Sequence, residues 1–336
     1  MIARGGAARQ GCLAKFLLKE PQLRILVTGA GLVGAHAAAL LASRDHTVTL
    51  CDVAPNEPYV RGVVGGGMTR VSLETGDVTD LSAFAPHVEG HDAVVHTAGL
   101  IGPRAQERPF VGFIVNVVGT VNVAEASRLA GASRLIYAST HGVYDFASAT
   151  APMTEDAPTV ARGVYPATKL AAEHMLEAYS DAHGLAVVAL RFANLFGRGT
   201  YVGGSRGGAA FDELVRAPLR REVARILPAV AGRSEWLYAK DAARAIVAAV
   251  ERPELGRFTV VNIGSGRLSG PDDIVAAIRA VVPGAEFARA GEPGRERRQP
   301  FDLTAAKHLL GWVPSYTLAA AVADYVADIR AGQASP

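Results

Sequence analysis

The chain has 336 residues, of which 49% are apolar and 20% charged, with a net charge of +2. This suits a globular protein with one large α/β domain or two smaller ones, and the near-neutral balance gives no electrostatic case for nucleic acid. No stretch is expected to supply the roughly 20 apolar residues of a membrane span, and the two cysteines, Cys12 and Cys51, cannot form a disulfide framework and fit a reducing cytoplasm.

Residues 1–22 carry Arg4, Arg9, Lys15 and Lys19 against Glu20, and the apolar run Cys12 to Leu18 is broken by Lys15. The segment is expected to be a disordered leader outside the fold, with a transit peptide as the alternative. Next, Arg24-Ile-Leu-Val-Thr28 leads into Gly29-Ala-Gly31-Leu32-Val33-Gly34 and an Ala/Leu-rich helical stretch to Ser43. Strand, glycine turn and helix together let backbone N–H groups approach a pyrophosphate, and the helix N-terminus favours its charge. The following strand, Thr47 to Cys51, ends in Asp52, an acid suited to the ribose hydroxyls of an adenosine and repelling to a 2′-phosphate. The expected cofactor is therefore NAD rather than NADP.

Further strands are expected at Arg70 to Glu74, Ala93 to His96, Arg134 to Ser139 and Ala186 to Arg191, with helices at Phe113 to Leu129 and Tyr165 to His183 between them. This alternation predicts a Rossmann-type, doubly wound parallel sheet, whose ligands bind at the carboxyl ends of the strands. Gly29, Asp52, Asp77, the run His96-Thr97-Ala98-Gly99 and Thr140 all fall at such ends. Beyond Arg191, Gly197 to Gly208 is expected to be a long mobile loop. Helices are expected at Phe211 to Ala217, Ala239 to Glu251, Pro271 to Val281 and Leu318 to Ile329, with a strand at Phe258 to Ile263. The resulting organisation is an NAD-binding domain over 23–191 and a smaller α/β substrate-binding part over 192–331, some of it packing back on the first.

The chemistry lies in Thr140 and in Tyr165-Pro-Ala-Thr-Lys169. Residues i and i+4 share a helix face, so Lys169 is expected beside Tyr165. A free phenol titrates near pH 10, and a neighbouring cation lowers that value. Tyr165 would then act as a general base on a substrate alcohol. No metal-ligand spacing stands out among His96, His141, His174 and His183, and Glu173-His174 is expected at the surface or an interface.

From about Arg24 to about Ile329 the chain resembles the extended short-chain dehydrogenase/reductases, the NAD-dependent epimerase/dehydratase family. The resemblance rests on the glycine turn, Asp52, Gly76-Asp77-Val78, Val95-His-Thr-Ala98, Asn116 to Asn122, Thr140, the YxxxK run, Leu190-Arg-Phe-Ala-Asn194, Asn262-Ile-Gly-Ser-Gly266 and Leu310-Gly-Trp-Val-Pro314. It implies that Asp77 and Val78 flank the adenine and that His96, Thr97 and Ala98 line the cofactor cleft. It further implies that Asn116 organises the nearby backbone, that Thr140 bonds the reacting hydroxyl, that Tyr165 is the base, and that Lys169 holds the nicotinamide ribose. Asn194 matches a residue contacting the substrate phosphate, and Arg297 or Arg298 matches a family arginine for it. A homodimer through the helices after Phe113 and Tyr165 is also implied.

Three departures narrow the expectation. The glycine turn is one residue shorter than the family's usual pattern. His141-Gly142 stands where the family's 4,6-dehydratases carry an Asp–Glu pair, so a dehydratase of that kind is not expected; His141 is left as a substrate-side residue. Ser234 stands where sugar-nucleotide members carry an arginine, and the segment Arg289 to Arg298 is either an anion clamp or a solvated basic loop balanced by Glu292 and Glu296. The expected activity is NAD-dependent oxidation of a secondary alcohol on a sugar-like substrate, most simply an epimerase, possibly of a nucleotide sugar. The alternatives are a dehydrogenase of a small polyol or sugar acid and, in another class, a non-catalytic NAD-binding sensor.

Overall fold

Seven parallel strands organise the computed structural model, which describes residues 22–334 apart from 200–203, 254, 293–295 and 298. The expected leader and Cys12 lie outside the described residues, as does Arg298. The strands are β1 (Arg24–Thr28), β2 (Thr47–Asp52), β3 (Val71–Thr75), β4 (Ala93–His96), β5 (Arg134–Thr140), β6 (Ala186–Phe192), and the later β10 (Phe258–Ile263), with β7 (Asn194–Phe196), β8 (Ala224–Ile226) and β9 (Ser234–Tyr238) between the last two. Their order in the sheet is β10-β6-β5-β4-β1-β2-β3. The short Val/Ile/Leu runs form central strands because helices cover both faces, leaving Ile25, Leu26, Val27, Val94, Leu135 and Val187 with no exposed surface.

The chain runs from β1 outward through β2 to β3, then crosses back to place β4 on the other side of β1. That reversal opens a crevice at the carboxyl ends of β1 and β4, where ligands of such sheets bind. The expected strand Phe258 to Ile263 is present and extends this sheet beside β6, with Asn262 level with Arg191.

A second core sits over the smaller sheets. β7 and the antiparallel β11 (Leu268–Ser269) flank β9, and β12 (Phe287–Arg289) pairs with β8. Phe196 and Phe211 stack there at 4.2 Å, beside buried Trp236, Tyr238 and Tyr325. The run Leu310-Gly-Trp-Val-Pro314 has a local cause. Gly311 ends the helix Thr304–Leu310 in the left-handed region, and buried Trp312 donates its indole N–H to the Asp241 carbonyl at 3.2 Å.

Several elements differ from expectation. Helical structure begins at Pro109, which suits a first helical position, and widens into a π turn over Ile114–Val118 before continuing to Leu129. This stretch, Pro109–Leu129, is long and apolar enough to pass for a membrane span, yet half of it is buried inside the fold. The expected loop ends early: a helix runs from Arg206 to Leu219, because the Ser205 hydroxyl caps the Gly208 N–H at 2.9 Å. Glu173 is not at the surface. It is buried and paired with Arg191, whereas His174 is exposed.

Candidate active site

The glycine turn after β1 is shaped by close approach. Gly29 has φ +89° and passes so near Ala98 that a Cβ would lie 2.6 Å from its nitrogen; a Cβ on Gly34 would lie 1.9 Å from the Gly29 carbonyl oxygen. Gly31, by contrast, faces open space and precedes the helix Leu32–Ser43 without a side-chain cap. This is a cradle that a side chain would fill, with a helix N-terminus at its floor, and it fits a dinucleotide pyrophosphate. The Thr97 hydroxyl stiffens it by donating to the Thr28 carbonyl at 2.7 Å. Asp52, at the end of β2, reaches back to accept the Ala30 N–H at 2.7 Å, and its other oxygen accepts the Ala54 N–H at 2.9 Å. The carboxylate therefore sits fixed beside the turn. Asp77 caps its own loop through Thr79, while Val78 packs under Gly119 and gives its carbonyl to Asn122.

Asn116 serves the backbone. Its Oδ1 accepts the Leu100 N–H at 2.7 Å, and its Nδ2 donates to the Leu100 carbonyl and to Thr168 Oγ1, each at 2.9 Å. His96 is buried behind the cleft. The Thr120 hydroxyl is committed to the Asn116 carbonyl at 2.6 Å, so it accepts from His96 Nε2–H at 3.0 Å. Nδ1 then accepts from the Thr28 hydroxyl at 2.7 Å. Burial, aided by the Lys169 charge, holds this imidazole neutral with its pKa lowered to about 3.

Thr140 ends β5 and Tyr165 opens the helix Val164–His183, which brings the Thr140 hydroxyl near enough to the phenol to favour its ionised form. Thr140 Oγ1 accepts the Gly142 N–H at 3.1 Å. Burial pushes the Tyr165 phenol up to about 12, with the Thr140 hydroxyl opposing that rise. The Lys169 ammonium makes no hydrogen bond to the phenol among the described residues. Its ammonium donates to the Ala138 carbonyl at 2.9 Å and lies 4.6 Å from the centre of the Tyr137 ring. Burial lowers its pKa to about 8, against the pull of Glu173.

On the far side of Thr140 lie the substrate-side residues. His141 Nδ1 stands 3.0 Å from the Phe192 carbonyl oxygen. A carbonyl only accepts, so Nδ1 carries the proton and Nε2 presents a lone pair. Burial, then the Arg297 charge, lowers its pKa to about 3, so His141 is a neutral acceptor rather than an acid. Gly142 has little room for anything larger, since a Cβ would lie 3.1 Å from Pro166 Cγ. Asn194 donates to Ser234 Oγ at 2.6 Å, and both line a cleft of about 790 Å³ with Arg206 and Pro228. Arg297 is not part of a solvated loop: it is 8% exposed, and its ion-pair partner is Glu235 at 3.4 Å rather than Glu292 or Glu296.

Four buried or site-flanking residues have no local signature in the sequence. Glu235 looks like part of a strand, Phe146 like a loop aromatic, and Glu173 with Arg191 like two unrelated charges; only the fold brings each to its partner. Among the described residues, no group of three or more His, Cys, Asp or Glu side chains is placed to hold a metal ion.

The sequence profile described as the NAD dependent epimerase/dehydratase family matches residues 25–264, the span from the start of β1 to the end of β10. The chain belongs to this family. It is an extended short-chain dehydrogenase/reductase, an NAD-dependent enzyme. Among its relatives is the UDP-glucose 4-epimerase of Corynebacterium glutamicum, 31% identical over 317 residues that cover 88% of this chain and 92% of that one. The L-arabinose 1-dehydrogenase (NAD(P)(+)) of Haloferax volcanii is 39% identical over 181 residues, covering 50% of this chain and 65% of that protein. Among solved structures, UDP-glucuronic acid 4-epimerase from Bacillus cereus in complex with UDP-glucuronic acid and NAD superposes with a TM-score of 0.77 at 25% identity, covering 92% of this chain and 99% of the other.

Proposed function

We propose that this family member epimerises a sugar carried on a nucleotide, by oxidising one of its secondary alcohols and re-reducing it from the opposite face. The observation that carries the reading is the Thr140 hydroxyl beside the buried Tyr165 phenol, at the carboxyl end of a sheet whose first turn forms the glycine cradle. Relatives named as UDP-glucose 4-epimerases, matched along most of their length, support it.

Bound NAD supplies the acceptor for the electron pair of the carbinol C–H bond and returns that pair in the second half of the reaction. The protein's part is proton management and orientation. Tyr165 as phenolate takes the hydroxyl proton, and Thr140 holds the alcohol oxygen through its own hydroxyl. Lys169, anchored on Ala138, offers its remaining N–H donors to the cofactor ribose and lowers the cost of the phenolate. Gly29, Gly31, Leu32, Val33 and Gly34 form the pyrophosphate cradle, Asp52 takes the adenosine ribose, and Asp77 and Val78 flank the base. Neutral His141 has no acid to lend to the expulsion of water, which argues against dehydration.

A second reading, a dehydrogenase that releases NADH from a smaller sugar, is favoured by Ser234 in place of a diphosphate-binding arginine and by the L-arabinose dehydrogenase relative. A non-catalytic NAD sensor would have no use for the Thr140–Tyr165 pair. We read the protein as a cytoplasmic homodimer; Phe110, Phe113 and Met175, exposed by 74%, 46% and 39% on the candidate helices, support the dimer. The test is incubation with NAD and paired UDP-sugars or free sugars, following epimers by NMR and NADH by absorbance. Epimer formation without net NADH supports the first reading and stoichiometric NADH the second; neither, with any sugar, sinks both.

A further inference from the structure

Arg297 is a buried cation with one edge unused. Its guanidinium carbon lies 3.7 Å from the centre of the Phe146 ring and 5.4 Å from that of Phe301, so two aromatic faces fix its plane. Nη1 reaches Glu235 at 3.4 Å, longer than an ordinary N–H···O bond. Glu235 is already served, accepting the Gly266 N–H at 2.7 Å and the Phe301 N–H at 2.8 Å. Arg297 Nη2, also buried, has no hydrogen-bond partner among the described residues. Buried guanidinium N–H groups are rarely left so without a ligand to receive them.

That edge lies near the strand end that carries Thr140. His141 directly follows Thr140, and its ring centre is 5.8 Å from that of Phe146, on which Arg297 lies. Arg297 is close enough for its charge to act on the imidazole. One wall thus presents a fixed guanidinium edge and the bare Nε2 lone pair of His141, next to the Thr140–Tyr165 hydroxyls.

We propose that Arg297 and His141 form a subsite for a carboxylate-bearing sugar, so that the enzyme's substrate is a sugar acid. This rests on the catalytic reading above and adds the substrate class. The free Nη2 edge of Arg297 donates to a carboxylate oxygen, a charge-assisted bond whose plane the two rings have already set. Glu235 beside it makes the local pair neutral overall. A dianionic phosphate would meet that carboxylate with two charges, whereas a singly charged carboxylate meets it with one. His141 Nε2 cannot donate to an anion, but it can accept from a neighbouring hydroxyl of the same sugar. The two side chains therefore ask for an acid group and an adjacent alcohol, a pattern that neutral hexoses lack.

The test uses the NAD-loaded protein and two matched pairs: UDP-glucuronic acid against UDP-glucose, and free glucuronic acid against glucose. Turnover and calorimetric binding are measured for the wild type, Arg297→Met and Arg297→Lys. The wild type should favour the acid of the accepted pair by about tenfold or more. Arg297→Met should abolish that preference by weakening the acid more than the neutral sugar. Arg297→Lys keeps a cation beside Glu235, so it serves if the Met variant fails to fold; it should retain part of the preference. Equal use of acid and neutral sugar by the wild type overturns the carboxylate subsite while leaving the catalytic reading intact. So does a Met or Lys variant that weakens both sugars alike or leaves the preference unchanged. Failure of the wild type to bind or turn over any of the four overturns both.

Discussion

Lys169 Nζ lies 2.9 Å from the carbonyl oxygen of Ala138, which places the ammonium of the helix Val164–His183 against the strand that ends in Thr140. Tyr165 and Lys169 lie four residues apart on one helix, but no hydrogen bond joins their side chains among the described residues. The phenol lies near Thr140, and the ammonium donates to the strand backbone. We propose that Lys169 favours the Tyr165 phenolate through its charge in the buried chamber rather than by contact.

Replacing Tyr165 by Phe should lower turnover by about two to four orders of magnitude, the usual worth of a general base, while NAD affinity changes by less than about threefold. Rapid-mixing kinetics and fluorescence titration of NAD would check the two halves. Turnover within tenfold of wild type would remove Tyr165 from the role of base.

The pH dependence has a defined sign. In the cofactor-free protein the phenol is pushed up to about 12, so at neutral pH only a small fraction is ionised. The kcat/KM for alcohol oxidation should therefore rise about tenfold per pH unit below the phenol's value in the complex. Lys169, lowered to about 8, loses its charge above that pH, so the rise should flatten there. Lys169→Met should move the rising limb to higher pH. A profile that is flat from pH 6 to 9, or a limb that stays put in the variant, would exclude this coupling.

Much of this was legible in the sequence because local chemistry sets it. Runs such as Ile25-Leu-Val27 and Val94-Val95 are apolar on both faces, which only a covered parallel sheet accepts. Gly29 and Gly34 are required by contacts under 3 Å from their own turn and the next strand. The placing of Thr140 at a strand end and Tyr165 at a helix start also follows from the sequence. What stayed hidden needs two distant segments at once. Glu173 read as surface because it sits beside exposed His174, but the helix turns it inward onto Arg191. For Arg297 the sequence leaves open both an anion clamp and a solvated loop balanced by Glu292 and Glu296, because its partner, Glu235, comes from the distant strand β9. The π turn at Asn116 has no composition of its own; it appears alongside the Asn116 bonds to Leu100 and Thr168.

Asp52 offers a test of cofactor choice. Asp52→Ala should weaken NAD by about tenfold, the worth of a charged hydrogen-bond acceptor, and weaken NADP less or not at all, since the 2′-phosphate no longer meets a carboxylate. The measured quantity is the ratio of dissociation constants. An unchanged ratio would mean that Asp52 only props the turn through Ala30 and Ala54.

Acid should destabilise the fold through its buried imidazoles, His36 and His96 alongside His141. Burial lowers His36 to about 4 and His96 to about 3, against about 6.5 in the unfolded chain. Their folded pKa values are depressed, so the unfolded chain binds protons first. The contribution is fully present above about pH 6.5 and is lost as pH falls toward 4, at roughly 3 kcal/mol per pH unit for His36 and His96 together. Urea midpoints at pH 7 and pH 5 measure it. His96→Gln should be less stable at pH 7 but lose less on acidification. The same loss as the wild type would show that other groups govern the acid limb.

The Glu173–Arg191 pair links stability to the site. Glu173 accepts from Arg191 Nη2 at 2.6 Å and Nε at 3.1 Å and is bonded by the Ser139 hydroxyl, while Arg191 Nη1 donates to the Tyr144 hydroxyl at 2.8 Å. Both partners are buried. Glu173→Gln leaves a desolvated guanidinium without its anion and should cost about 3–5 kcal/mol in chemical denaturation. Arg191→Met should cost a similar amount, because it strands the carboxylate. The double variant Glu173→Gln, Arg191→Met strands no charge, so its loss should be smaller than the sum of the two. Ser139 adjoins Thr140, and the Glu173 charge supports the Lys169 ammonium, so Glu173→Gln should also lower kcat. Additive losses in the double variant would mean that the two charges are solvated separately, and the pair would then have no claim on the geometry of Thr140.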